Sequence, residues 1–179
     1  MRYLTIMMTA AAAVLATAAS AEVIRRPIPD FGASAEVADP FQKPDPTLHY
    51  KVVFNVSQPA RAAGEVHQGL ERVARMVNLL AHYSVKMQPG DIVVTLQGPA
   101  AKTVLTSAAF AKRYNGEVNP NANLIQELTA AGVSVRLCGQ SMVGLGFSRS
   151  ELNPDVKVDV SAITTMATLQ LRGYAIISD

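Results

Sequence analysis

The sequence predicts an α/β domain of three layers, with a five-stranded, mainly parallel sheet between two layers of helix in the flavodoxin-like manner. Three observations carry this prediction. Short runs rich in Val and Ile alternate five times with segments of helical period. One of those runs, residues 91–96, is apolar almost throughout, as a strand covered by helices on both faces must be. Glycine or proline punctuates the joints, at Pro89-Gly90, Pro120, Gly132, Pro154 and Gly173. Such alternation selects a parallel sheet with right-handed crossovers and leaves the strand order open.

Each element has its own justification. Tyr50–Val56 reads as the first strand, ending in the polar pair Ser57-Gln58. Glu65–His82 has helical spacing, with Leu70, Val73, Ala74, Val77, Leu80 and Ala81 on one face and Glu71, Arg72 and Arg75 on the other. Asp91–Leu96 is the second strand, closed by Gln97-Gly98-Pro99. A short helix is expected within Ala100–Ala111, then a turn at Asn119-Pro120-Asn121 and a helix over Ala122–Ala131 that turns Leu124, Ile125 and Leu128 inward. Gly132 stands where a helix-terminating glycine belongs. Val133–Leu137 is the third strand and Val156–Val160 the fourth. Ile163–Arg172 is the last helix and Tyr174–Ile177 the fifth strand.

The ends of the chain are organised differently. Residues 1–21 read as an export signal: Arg2 is a short basic region, Leu4–Ala18 is apolar, and Ala19-Ser20-Ala21 is a small-x-small cleavage site. The apolar stretch is short for a membrane span, and no other segment is apolar enough. The expected mature chain is therefore periplasmic and free of the membrane, with a formal charge one unit below the +2 of the full chain. Residues 22–49 hold five of the ten prolines. They read as an extended arm ahead of the domain at 50–179, either without fixed structure or lying across a neighbouring subunit.

Composition removes several function classes. A near-neutral chain without tryptophan offers neither a clustered basic face nor a stacking platform, so no nucleic-acid partner is expected. Gly144-Leu145-Gly146-Phe147-Ser148-Arg149 begins as a dinucleotide fingerprint but has Arg149 where the third glycine belongs, and no P-loop occurs. No cofactor is expected. His67 and His82 share a helix but lie too far apart to ligate one metal, and no metal site is expected.

What remains is Cys138, the only cysteine. In an oxidising compartment structural cysteines come in pairs, so a single one is either a small buried apolar residue or a thiol kept for its chemistry. It sits at the carboxyl end of the third strand, where open α/β sheets place their ligands. A helix beginning near Gln140 would favour the thiolate through its free N–H groups, and Arg136 on the same side of the strand would add modestly to that. Residue chemistry alone leaves the inert and the reactive thiol both open.

From Tyr50 to Asp179 the chain resembles the DsrE/DsrF-like proteins, the group associated with sulfur oxidation and sulfur relay. The stretches that carry the resemblance are residues 51–56, Asn78-Leu79-Leu80, residues 92–98, residues 132–141 with Cys138 straight after the strand, and the ending Gln170-Leu171-Arg172-Gly173-Tyr174-Ala175. The resemblance implies a five-stranded α/β domain assembled into trimers or hexamers, with sulfane sulfur carried as a persulfide on Cys138 and exchanged with a donor or acceptor protein. The expected pocket comprises Asn55, Ser57, Gln97, Gly98, Gly139, Gln140 and Ser141, from the ends of the first three strands. The competing expectation is a non-catalytic oligomeric module of the same fold that binds a small ligand or serves assembly.

Overall fold

The computed structural model describes residues 26–179 with the exception of Ala63. The predicted export signal and residues 22–25 lie outside the described residues. Five strands form one sheet: β1 (Val52–Val56), β2 (Ile92–Leu96), β3 (Ser134–Cys138), β4 (Lys157–Asp159) and β5 (Ala175–Ser178). All neighbours are parallel, in the order β4-β3-β2-β1-β5. The helices are α1 (Gln68–His82), α2 (Ser107–Arg113), α3 (Ala122–Ala130), α4 (Gly139–Gly144) and α5 (Ala162–Leu171).

The connections explain the layers. From β1 to β4 each strand is laid beside its predecessor in one direction, with α1 and α3 packed against β1, β2 and β3. The link from β4 to β5 returns across three strands, so a right-handed crossover must carry α5 over the opposite face. There α5 packs on β1 and β2. Strand alternation then divides the side chains. Val52, Phe54, Val56, Ile92, Val94, Leu96, Val135 and Leu137 join Leu70, Val73, Val77, Leu124, Ile125 and Leu128 in the main core. Val53, Val93 and Leu169 form a much smaller cluster under α5.

Local chemistry moves two boundaries from their predicted places. The first helix begins at Gln68 rather than Glu65, because His67 is extended and caps it, Nδ1 accepting from the Gly69 N–H at 3.0 Å. The single helix expected within Ala100–Ala111 is two pieces. A 3₁₀ segment, Gly98–Val104, opens on Pro99, and α2 starts afresh where the Thr106 hydroxyl accepts from the Ala109 N–H at 3.2 Å. Gly132 does end α3: at φ +87° it lets its own N–H reach the Thr129 carbonyl and that of Val133 reach Leu128.

Asn119 and Asn121 do more than turn the chain. The buried Asn119 amide donates to the carbonyls of Thr103 (2.8 Å) and Leu105 (2.7 Å). Asn121 Oδ1 accepts from the backbone N–H of the buried His67 at 2.8 Å. His67 Nε2 then donates to the Gln58 carbonyl, also at 2.8 Å, since its Nδ1 is the acceptor at the helix cap. This polar knot fixes the loop that follows β1.

Residues 26–49 lie along α1 of their own chain. Ile28 is fully buried, a gain of about 1.5–3 kcal/mol relative to an exposed side chain. Its N–H and C=O both bond the buried Asn78 side chain, at 3.0 and 2.9 Å, and Asn78 also donates to Phe31. Gly32 (φ +66°) passes so close to α1 that a Cβ there would stand 2.4 Å from the Ala74 backbone. No other residue type fits that crossing.

Candidate functional site

Cys138 ends β3 and caps α4, with only 4% of its surface exposed. Alternation places it on the α5 side of the sheet, opposite Asp159 of β4. Burial is the largest influence on the thiol and pushes it up. Against it stand the N–H groups of Ala162, Ser141 and Gln140 and the Ser141 hydroxyl, which together hold the thiol below its ordinary value. These donors belong to the first turns of two helices, α4 and α5, whose amino ends meet at the sulfur. Unpaired N–H groups there favour negative charge.

The local sequence accounts for this convergence. At Gly139 a Cβ would stand 2.5 Å from the Asp159 carbonyl oxygen, so only glycine lets α4 start directly beneath the end of β4. Ser161, extended at the next turn, caps α5 by accepting from the Ile163 N–H at 3.3 Å and leaves the Ala162 N–H to the sulfur. Ser141 Oγ accepts from the Gly98 N–H at 2.9 Å, which leaves the hydroxyl proton for Cys138.

The predicted pocket residues separate into two groups. Asn55 and Gln97 are joined, Gln97 Nε2 donating to Asn55 Oδ1 at 2.7 Å, and Gly98 is tied to Ser141. With Gly139 and Cys138 they form a polar line across the carboxyl ends of β1, β2 and β3. Gln140 is exposed and turns its amide to the Val160 carbonyl at 3.3 Å. Ser57 is engaged elsewhere, with Asp179. Arg136 faces the same side as Cys138, but its guanidinium is taken by Ser134 (3.1 Å) and Asp159 (3.4 Å), and the groups that lower the thiol are the N–H and hydroxyl donors.

Two features were outside the sequence reading. Asp159 sits across from the thiol and accepts from Arg136 and from the Thr165 hydroxyl at 2.8 Å, a half-buried polar cluster beside the sulfur. The Ala162 N–H, a backbone group 24 residues beyond Cys138 in the chain, left no signal in side-chain identity. Among the described residues, no three His, Cys, Asp or Glu side chains are grouped to hold a metal ion, and no helix is long and apolar enough to cross a membrane.

This architecture has known counterparts. A protein of unknown function from Methanobacterium thermoautotrophicum, MTH1491, superposes with a TM-score of 0.54 at 20% identity, over 73% of this chain and 99% of its own. The ychN protein from E. coli superposes with a TM-score of 0.51 at 20% identity, over 72% of this chain and 99% of its own. At such identity the likeness establishes the fold alone. No curated protein gives a significant sequence match. The DsrE/DsrF-like family model matches residues 49–178, nearly the whole described domain with Cys138 inside it, and the chain belongs to the DsrE/DsrF-like family.

Proposed function

We propose that this protein is an exported sulfur carrier in which Cys138 accepts sulfane sulfur as a persulfide and passes it to a partner thiol. The observation that carries the reading is the convergence of Gln140, Ser141 and Ala162 N–H groups on a thiol held below its ordinary value. The step balances without an external oxidant. The Cys138 thiolate attacks the outer sulfur of the donor, a new S–S bond forms, the donor's S–S bond breaks, and sulfite or a thiolate leaves with its electron pair. A persulfide anion is stabilised by the same donors as the thiolate. Delivery reverses the sequence: the acceptor thiolate takes the outer sulfur and Cys138 leaves as thiolate.

The reading includes assembly into a trimer or hexamer and residence in the periplasm. Assembly is supported by exposed apolar side chains: Val143 of α4, Val160 after β4, and Ile163 and Leu171 of α5 are 71–91% exposed. Residence in the periplasm rests on the predicted signal at residues 1–21. A second reading, an oligomeric module in which Cys138 only packs, draws on the same exposed side chains and on the burial of the sulfur.

Intact-mass spectrometry after incubation with thiosulfate or polysulfide separates the two, with Cys138→Ser in parallel. The carrier gains whole sulfur atoms that a reductant removes, and the serine variant gains none. Absence of an adduct on the native wild type, with the thiol reacting only after unfolding, establishes the packing role instead.

A further inference from the structure

Two strand spacings from Cys138, about 10 Å across the sheet, the chain makes an arrangement that sulfur transfer does not use. The Asp179 side-chain carboxylate accepts from the Ser57 N–H (3.0 and 3.2 Å), the Ser57 hydroxyl (3.1 Å) and the Gln58 N–H (3.1 Å). Two successive backbone N–H groups and a hydroxyl aimed at one carboxylate make the kind of concavity that binds anions. We propose that the Ser57-Gln58 turn is a binding site for a small free oxyanion of the thiosulfate or phosphate type, and that Asp179 occupies it as a displaceable internal competitor.

The position favours a ligand site. β1 is the strand at which the sheet changes direction, with β2 on one side and β5, the product of the return crossover, on the other. Ligands of open α/β sheets lie at the carboxyl ends of strands at such a point. The donors are also held in advance. The Gln58 carbonyl is fixed by the buried His67, which is itself fixed by Asn121, so the turn need not reorganise when its occupant changes.

Charge points the same way. Gln58 borders a cleft of about 600 Å³ that is also lined by Arg61, Arg72, Arg75, Glu65, Glu71 and Asp179. Three arginines face three carboxylates. With the Asp179 side chain turned away, the arginines outnumber the remaining carboxylates by one, which favours an incoming anion. Arg72 already reaches the edge of the site, donating to the Ser178 carbonyl at 3.3 Å.

Asp179 is suited to leaving. It is exposed, and it lies beyond the last register pair of β5, Ser178 with Asn55. Its backbone keeps the sheet hydrogen bond to the Asn55 carbonyl (3.2 Å) when the side chain rotates away. A tethered carboxylate competes at an effective concentration in the millimolar range. A free oxyanion therefore meets a site that is masked rather than absent.

The test is a nitrogen-15 NMR titration of the full chain with sodium thiosulfate and, separately, sodium phosphate, at constant ionic strength set with sodium chloride. In Asp179→Ala the Ser57 and Gln58 amide resonances move saturably with either anion, and the wild type needs at least about tenfold more anion for half-saturation. Asp179→Asn, which keeps the shape without the charge, falls between them and carries the test if the alanine variant unfolds. No saturable movement in a folded variant up to tens of millimolar overturns the proposal and leaves Asp179 as a fastener for β5. Equal half-saturation in wild type and variant overturns the competitor role.

Discussion

On one side of the sheet, α1 and α3 press a continuous core of large apolar side chains against β1, β2 and β3; on the other, the buried cluster under α5 is Val53, Val93 and Leu169, with the partly buried Met166 and Tyr174 against it. The rows beyond that small cluster are polar: Asn55, Thr95 and Arg136 lie in register, and Cys138 pairs with Asp159. A helix facing a polar row buries little. Along α5 only Ala162, Thr165 and Leu169 are buried, while Ile163 and Leu171 point outward. The thick side holds the fold together, and the thin side, needed less for stability, is free to carry chemistry.

The sharpest test of that division is a matched pair of core truncations. Leu128→Ala, on the thick side, removes a fully buried side chain from close-packed surroundings and is expected to cost about 4 kcal/mol. Leu169→Ala, on the thin side, leaves a gap that few neighbours must accommodate and is expected to cost about 2 kcal/mol. Urea denaturation of both variants reads the difference directly. A loss at Leu169 equal to that at Leu128 would break the comparison and show that the thin face is packed against something more than α5.

A second prediction concerns the chemistry assigned to the thin side. Replacing Ser141 by Ala removes one of the donors that lower the thiol, and the burial that raises it stays. The pH profile of Cys138 alkylation therefore moves upward in Ser141→Ala, toward the ordinary thiol value of 9.0, with a loss of stability of about 1 kcal/mol because the part-buried Gly98 N–H loses its acceptor. An unmoved profile would remove the hydroxyl from the set of groups that tune the sulfur and leave the work to the backbone N–H groups.

How much of this was legible in the sequence follows the same division. The thick side announces itself because apolar residues at strand and helix periods must share a face, so β1, β2, β3, α1 and α3 were predicted within a few residues. Cys138 was legible because its position after an apolar strand and before a glycine is local. What tunes it was not: Ala162 contributes a backbone N–H, and no residue type signals that. The arm hid its role for a related reason. Its prolines show only that it lacks a period, whereas its attachment depends on Asn78, fifty residues away from Ile28. Asp179 likewise reaches Ser57 across 122 residues, and its meaning rests on the loop that His67 and Asn121 pin in place.

The smallest effect expected comes from the rim of the thick side, and it separates the two regions by pH. Arg113 of α2 grips Glu151 with two charge-assisted bonds of 2.8 Å, and Glu151 also accepts from the Ser148 N–H and hydroxyl at 2.8 and 3.0 Å. The Arg113 side chain first, then the Ser148 donors, bring the Glu151 carboxyl from its ordinary 4.5 to about 2. A carboxyl lowered in the folded state contributes stability that is fully present above its unfolded value and lost as the pH falls through the folded one. The contribution from Glu151 therefore disappears between pH 4.5 and about 2. The pair lies at the surface, where solvent screening keeps such an ion pair weak. Glu151→Gln is expected to lower the melting temperature slightly at neutral pH, and the difference from wild type should vanish toward pH 2. Alkylation of Cys138, governed by groups on the other side of the sheet, should keep its pH profile in the same variant. A Glu151→Gln profile displaced along with the stability would mean that the two faces are coupled through β3.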